Sequence, residues 1–192
     1  MHKNKINGHE YVDLGLSVKW ATCNIGASSP EKYGDYYAWG EKETKSEYSW
    51  SNYFDITDGG RPFTKYNNNG GKTTLNADDD VAHVKWGGSW RMPTKAEQDE
   101  LLNSCTWTWT KQKGKKGYKV TGPNGNSIFL PAAGYRDDTS LYGAGSNGYY
   151  WSSSLGSSNS SSACDLGFIS GGVYWDNYGG RYYGRSVRAV CQ

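Results

Sequence analysis

Polar and apolar side chains alternate about a glycine from Tyr11 to Ala21, which predicts two short strands around a turn, with one face buried. Residues 40–80 keep no such rhythm. They are polar, aromatic and rich in Asn, Gly and Asp, and Asn67-Asn68-Asn69-Gly70-Gly71 reads as a turn or excursion. An irregular stretch of that length is usually functional or propped by its own aromatics. At Pro93-Thr94-Lys95-Ala96-Glu97 the pattern changes, because Thr94 and Glu97 stand at capping-box spacing: hydroxyl to backbone N–H one way, carboxylate the other. The helix starting there has an apolar stripe of Ala96, Leu101 and Leu102 and should stop near Asn103 or Ser104. Strand-like pieces punctuated by glycine follow: Thr106-Trp107-Thr108-Trp109-Thr110, Gly117-Tyr118-Lys119-Val120 and Ser127-Ile128-Phe129-Leu130. Pro123-Asn124-Gly125-Asn126 supplies a hairpin turn between the last two. One helix among many short strands is an α+β pattern, and no linker divides residues 1–192.

The end of the chain is compositionally biased. From Ser152 to Tyr183, 23 of 32 residues are Ser, Gly, Tyr, Asn or Asp, while Lys, Glu, Gln, Thr, Pro, Met and His are absent. A flexible linker would explain Ser157 to Ser162 but fails from Ala163 onward. There Leu166, Phe168, Val173 and Trp175 recur at period two, which predicts two strands burying those four around a Ser170-Gly171 turn. The opposite set, Asp165, Gly167, Ile169, Gly172, Tyr174 and Asp176, then faces outward. Tyr178, Tyr182 and Tyr183 follow in a Gly-rich loop. Residues 185–191 alternate again as a closing strand, with Val187 inward and Arg185 and Arg188 outward. Exposed Tyr among Ser, Gly, Asn and Asp is the composition of an antibody paratope: large amphipathic area at low entropy cost, with adaptable hydrogen bonding. The competing reading packs these tyrosines onto the body of a Trp-rich domain.

Composition supports a ring-built core. Only 35% of residues are hydrophobic, yet 15% are aromatic, with nine Trp and sixteen Tyr, so buried N–H and O–H groups need partners. A formal net charge of +2 gives no reason to expect nucleic acid or an anionic membrane. The basic run Lys111-Gln112-Lys113-Gly114-Lys115-Lys116 reads as a solvated hairpin. No apolar run reaches the roughly 18 residues of a bilayer span, and the first eight residues lack the apolar stretch of a signal peptide. Cys23, Cys105, Cys164 and Cys191 are too scattered for zinc, leaving buried thiols, favoured by the absence of an export signal, or long-range disulfides.

The chain resembles the Fibrobacter succinogenes major paralogous domain family and its C-type-lectin-like relatives. The matching motifs are Tyr11-Val12-Asp13-Leu14-Gly15-Leu16 with Trp20-Ala21-Thr22-Cys23-Asn24, Gly34-Asp35-Tyr36-Tyr37-Ala38-Trp39-Gly40, Trp90-Arg91-Met92-Pro93-Thr94 with Glu97 and Glu100-Leu101, Leu130-Pro131-Ala132-Ala133-Gly134-Tyr135-Arg136, Tyr150-Trp151-Ser152-Ser153-Ser154, and Gly184-Arg185-Ser186-Val187-Arg188. Its ending resembles the variable proteins of diversity-generating retroelements, relatives of the phage major tropism determinant. There, mutated adenines turn Asn codons into a set containing Ser, Gly, Asp, Tyr, Ile, Cys and Asn but not Lys, Glu, Gln, Met or Trp. The outward residues from Asp165 to Asp176 fall inside that set; Trp175 falls outside it and on the inward side. The resemblance implies a C-type lectin fold displaying a hypervariable site, residues 151–185, on a phage virion or cell surface. The ligand would be a protein or glycan on a cell surface. It also implies that Cys105 could bond to Cys191, with Cys164 an accidental product of the variation. No cofactor is expected, Ca²⁺ being left open, and neither ligand nor oligomeric state is fixed by the sequence.

Two other classes compete. Arg91-Met92-Pro93-Thr94-Lys95-Ala96-Glu97 also resembles formylglycine-generating enzymes, but those carry a close C-terminal cysteine pair, and Cys164 and Cys191 are far apart. His2, His9 and His83 form no constellation, the first two lying in a start expected to be disordered. Asp78-Asp79-Asp80 and Asp137-Asp138 are adjacent in loops without acid–base geometry, and turns explain them as well as Ca²⁺ would. The expectation is therefore no enzyme. A Ca²⁺-dependent sugar lectin is the nearer rival, since Trp175-Asp176-Asn177 resembles the lectin Trp-Asn-Asp motif with its last two residues exchanged, but the companion Glu-Pro-Asn is missing.

Overall fold

The computed structural model describes residues 4–56 and 63–192, with the side chains of residues 175–178 outside the description. It is a sheet-dominated α+β architecture. The chain opens with β1 (Lys5–Ile6), β2 (His9–Val12) and β3 (Lys19–Ala21). After the long irregular stretch come α1 (Val81–Trp86) and α2 (Lys95–Ser104). The meander β4 (Thr106–Gln112), β5 (Lys115–Thr121) and β6 (Ser127–Pro131) is followed by a small hairpin, β7 (Tyr135–Asp137) and β8 (Ser140–Tyr142). Last are β9 (Asn147–Leu155), β10 (Ser162–Ile169), β11 (Gly172–Gly180) and the short β12 (Val190–Cys191). The last strand returns to the first sheet, order β1-β2-β3-β12, and pairs Val190 with Trp20. The other sheets run β4-β5-β6, β7-β8 and β11-β10-β9.

The two strands expected around Gly15 are β2 and β3, antiparallel with Val12 opposite Trp20. The capping box also forms: Thr94 Oγ1 accepts from the Glu97 N–H at 3.2 Å, and Glu97 Oε1 accepts from the Thr94 N–H at 2.8 Å. One stripe position differs. Ala96 is exposed and Gln98 is buried beside Leu101, because Gln98 Nε2 donates at 2.9 Å to the Tyr150 carbonyl of β9. Helix α1 has no counterpart in the sequence reading. Its N-cap is Asp80, whose Oδ1 accepts from the Ala82 and His83 N–H groups while Oδ2 accepts from Met92 N–H. One carboxylate thus starts a helix and ties it to the next segment, where the sequence reading offered a turn or a Ca²⁺ ligand.

Rings fill the core, and their polar ends serve the loops. Indole N–H groups of Trp39, Trp90 and Trp151 donate to the carbonyls of Ser152, Ile6 and Tyr37 at 2.7–2.9 Å. Phenols of Tyr36, Tyr48 and Tyr53 donate to the carbonyls of Ala133, Tyr36 and Trp39 at 2.5–2.6 Å. A buried loop carbonyl without a partner is costly, so each ring both fills volume and closes a backbone debt. The described parts of residues 40–80 are supported in this way, with Tyr48, Tyr53 and Phe63 packed around Ala133.

Several expectations are corrected. Arg185 and Arg188 are buried rather than outward, and only Val190–Cys191 of residues 185–191 forms a strand. Arg188 crosses the interior, donating to Asn24 Oδ1 at 2.9 Å and to the Phe129 and Ala21 carbonyls. Strand β11 runs through residue 178, where a Gly-rich loop was expected. His9, expected in a disordered start, lies in β2, its ring stacked 3.9 Å from that of Trp86. All four cysteines are free, so Cys105 and Cys191 are not joined. Among the described residues no helix is long and apolar enough to cross a membrane.

Candidate functional site

Strand β10 lies between β9 and β11, and its alternation separates two faces. Leu166 and Phe168 point into the core with Tyr118, Tyr150 and the partly buried Val173. Phe168 lies opposite Gly148 of β9, where any side chain would overlap its ring. The fourth expected anchor, Trp175, has its side chain outside the described residues.

On the other face, Ile169 and Tyr174 are 43% and 38% exposed, as expected. Gly172, Tyr182 and Tyr183 are half-buried, and the side chains of Asp176 and Tyr178 lie outside the described residues. Asp165 and Gly167, expected in solvent, are buried. The cause is tertiary: residues 179–186 fold back across this end of the sheet. Arg185 is inserted there, beside Gly179, where a Cβ would collide with its guanidinium. It pairs with the Asp165 carboxylate and lies over the rings of Trp151, Tyr149 and Tyr183, at 4.6, 4.9 and 5.5 Å from their centroids. Burial pushes the Arg185 pKa down to about 10, which leaves it cationic at neutral pH. Gly167 is roofed by two rings, since a Cβ there would approach Tyr174 to 2.8 Å and Tyr149 to 3.4 Å.

The exposed surface extends beyond the residues singled out in the sequence. Tyr135 is its hub, with ring centroids 5.3 Å from Tyr149, 5.5 Å from Tyr183 and 5.7 Å from Tyr142. Tyr182 joins through Tyr183 at 4.3 Å and meets Trp50 at 4.8 Å. Leu141 and Tyr142 are 39% and 47% exposed on β8. The signal that could have found this hairpin is local: Asp138 occupies the left-handed region at φ 53° between two short strands, one beginning with Tyr135 and the other ending with Tyr142, and Asp tolerates that geometry. Burial first, then Tyr183 and Asp137, pushes the Tyr182 phenol upward, so its O–H stays neutral at pH 7.

His9 stacks on Trp86, and His83 Nδ1 sits 3.2 Å from the Trp90 carbonyl on α1. Among the described residues no three His, Cys, Asp or Glu side chains come together as a metal site.

The face is aromatic, and it is carried by the β11-β10-β9 sheet and the β7-β8 hairpin. The chain belongs to the family described as Domain of unknown function (DUF8237), whose model matches residues 93–190. No curated protein and no solved structure matches it. The family span starts at the proline before α2 and ends on β12, so it contains every strand of the tyrosine face.

Proposed function

We propose that this chain is a C-type-lectin-like recognition module that holds a protein or glycan of a cell surface on its tyrosine face and performs no chemistry on it. The observation carrying the proposal is the run of rings from Tyr142 through Tyr135 and Tyr149 to the exposed Tyr174. Such rings bury large area while freezing few torsions, and their hydroxyls keep hydrogen-bonding partners adjustable. The lectin-like reading is supported by the pairing of the chain's two ends and by a capped helix laid against the C-terminal sheet.

The variable-protein reading follows from the same face. Ile169, Gly172 and Tyr174 belong to the residue set expected of mutated Asn codons, and they lie where a change of side chain meets solvent. Asp165 and Gly167 belong to it too, but both are buried, so variation there would act on the fold beneath the site rather than on its surface. A virion or cell surface is the setting this reading implies.

Two measurements test the proposal. Binding to a printed array of cell-surface proteins and glycans should fall at least tenfold for Tyr174→Ala and Tyr142→Ala, roughly the loss of one aromatic anchor at an interface. Signals indifferent to both substitutions would refute the face. DNA beside the gene should hold a near-copy of its last 100 or so bases (about one repeat) differing at adenines, next to a reverse transcriptase. Its absence, with invariant sibling genes, removes the diversity reading alone.

A further inference from the structure

A second site lies on the other side of β7 from Tyr135. Alternation turns Arg136 away from the tyrosine face and into a hollow of about 330 Å³, lined also by Asp35, Tyr36, Thr44, Ser46 and Tyr48. That volume is at the lower end for small-molecule sites. The guanidinium lies over the Tyr36 ring, 5.2 Å from its centroid. Tyr36 is itself fixed, its ring buried and its hydroxyl donating to the Ala133 carbonyl at 2.6 Å. Among the described residues Arg136 makes no side-chain hydrogen bond and no ion pair, although Asp35 lines the same hollow. Lys45, also at the rim, is already held by Glu41 at 3.0 Å and by the Asn52 carbonyl.

From this arrangement we infer a binding site for a small hydroxylated carboxylic acid of the uronic-acid class. A planar fork with free donors matches one carboxylate in bidentate fashion. Asp35 rejects a dianion such as phosphate but, being acceptor-only, takes hydroxyl donors from the rest of the ligand. The hydroxyls of Thr44 and Ser46, both exposed, can give or receive. One positive fork, one acceptor and two hydroxyls around a ring-floored hollow suit a sugar acid better than a bare anion.

Titration calorimetry on the whole chain tests this with methyl β-D-glucuronide, its neutral glucoside counterpart and acetate. The glucuronide should bind saturably, with the neutral glucoside weaker by about tenfold or more, the usual size of a charge-assisted pair, and with acetate, which keeps the pair but lacks the ring hydroxyls, also weaker by about tenfold or more. Arg136→Gln should lose binding by a similar factor, and Arg136→Lys, charged but without the fork, should recover only part. If Arg136→Gln fails to fold, Thr44→Ala with Ser46→Ala, at exposed positions, should weaken the glucuronide more than acetate. Tyr174→Ala should leave glucuronide binding unchanged, so failure here and failure of the tyrosine face are read separately. A folded parent that does not bind, glucuronide binding that survives Arg136→Gln, or acetate bound as tightly as glucuronide overturns the assignment.

Discussion

Arg181, Arg185 and Arg188 are all buried, and each has its charge answered differently. Arg181 pairs with Asp55 at 2.8 Å, donates to the Tyr66 and Ser160 carbonyls and stacks near Phe63 and Trp39. Arg188 relies on an amide and two carbonyls. Arg185 depends on Asp165 and three rings. Removing one member of a buried pair strands the other, a loss of about 3–5 kcal/mol, whereas replacing both with apolar groups is often neutral. Asp165→Ala should therefore lower unfolding free energy in urea by that amount, and Asp165→Leu combined with Arg185→Met should restore most of it. A loss under about 1 kcal/mol for the single change would show that Asp165 does not hold Arg185. None of this was legible from alternation, which placed both residues outside. Period two reports the face of a strand but not whether a later segment folds over that face.

Helix α2 shows what local signals do reveal. Its box involves residues three apart, so Thr94 and Glu97 announced it without knowledge of the fold. Thr94→Ala should cost about 1 kcal/mol, measured by chemical denaturation. Glu97 also takes both Arg91 nitrogens at 2.7 Å. Burial opposes its ionisation, but the Arg91 fork and the Thr94 N–H outweigh that and hold its pKa below the ordinary 4.5. A depressed folded-state pKa means stability that is fully present above pH 4.5 and fades as pH falls through the lowered value. The denaturation midpoint should drop on acidification in that window, and Glu97→Gln should flatten the drop; an unchanged slope would exclude Glu97 as its source. Helix α1 stayed hidden for an opposite reason. With six residues it shows no full apolar stripe, and its N-cap carboxylate is bonded as much to Met92 of the next segment as to its own first turn.

At the scale of the molecule, core and proposed contact surface share one sheet, whose two sides should answer mutation differently. The inner side is close-packed: Phe168 touches the rings of Tyr118 and Tyr150, with centroids at 5.2 and 6.0 Å, and lies flush against Gly148. Phe168→Ala should cost about 3–5 kcal/mol, the range for an emptied aromatic site. Ile169, its neighbour in sequence, and Tyr174 face solvent, so Ile169→Ala and Tyr174→Ala should change stability by no more than about 0.5 kcal/mol. The sequence made this contrast readable through Leu166, Phe168 and Val173, but not the contribution of Tyr135 and Tyr142, which arrive from a hairpin outside the biased segment. A surface whose residues can be exchanged without cost to the fold beneath is what a recognition module with changeable specificity requires. The decisive measurement is a melting series across the sheet. If Tyr174→Ala and Ile169→Ala lower the melting temperature as much as Phe168→Ala does, these side chains are core rather than contact surface, and the face cannot vary while the scaffold stays folded.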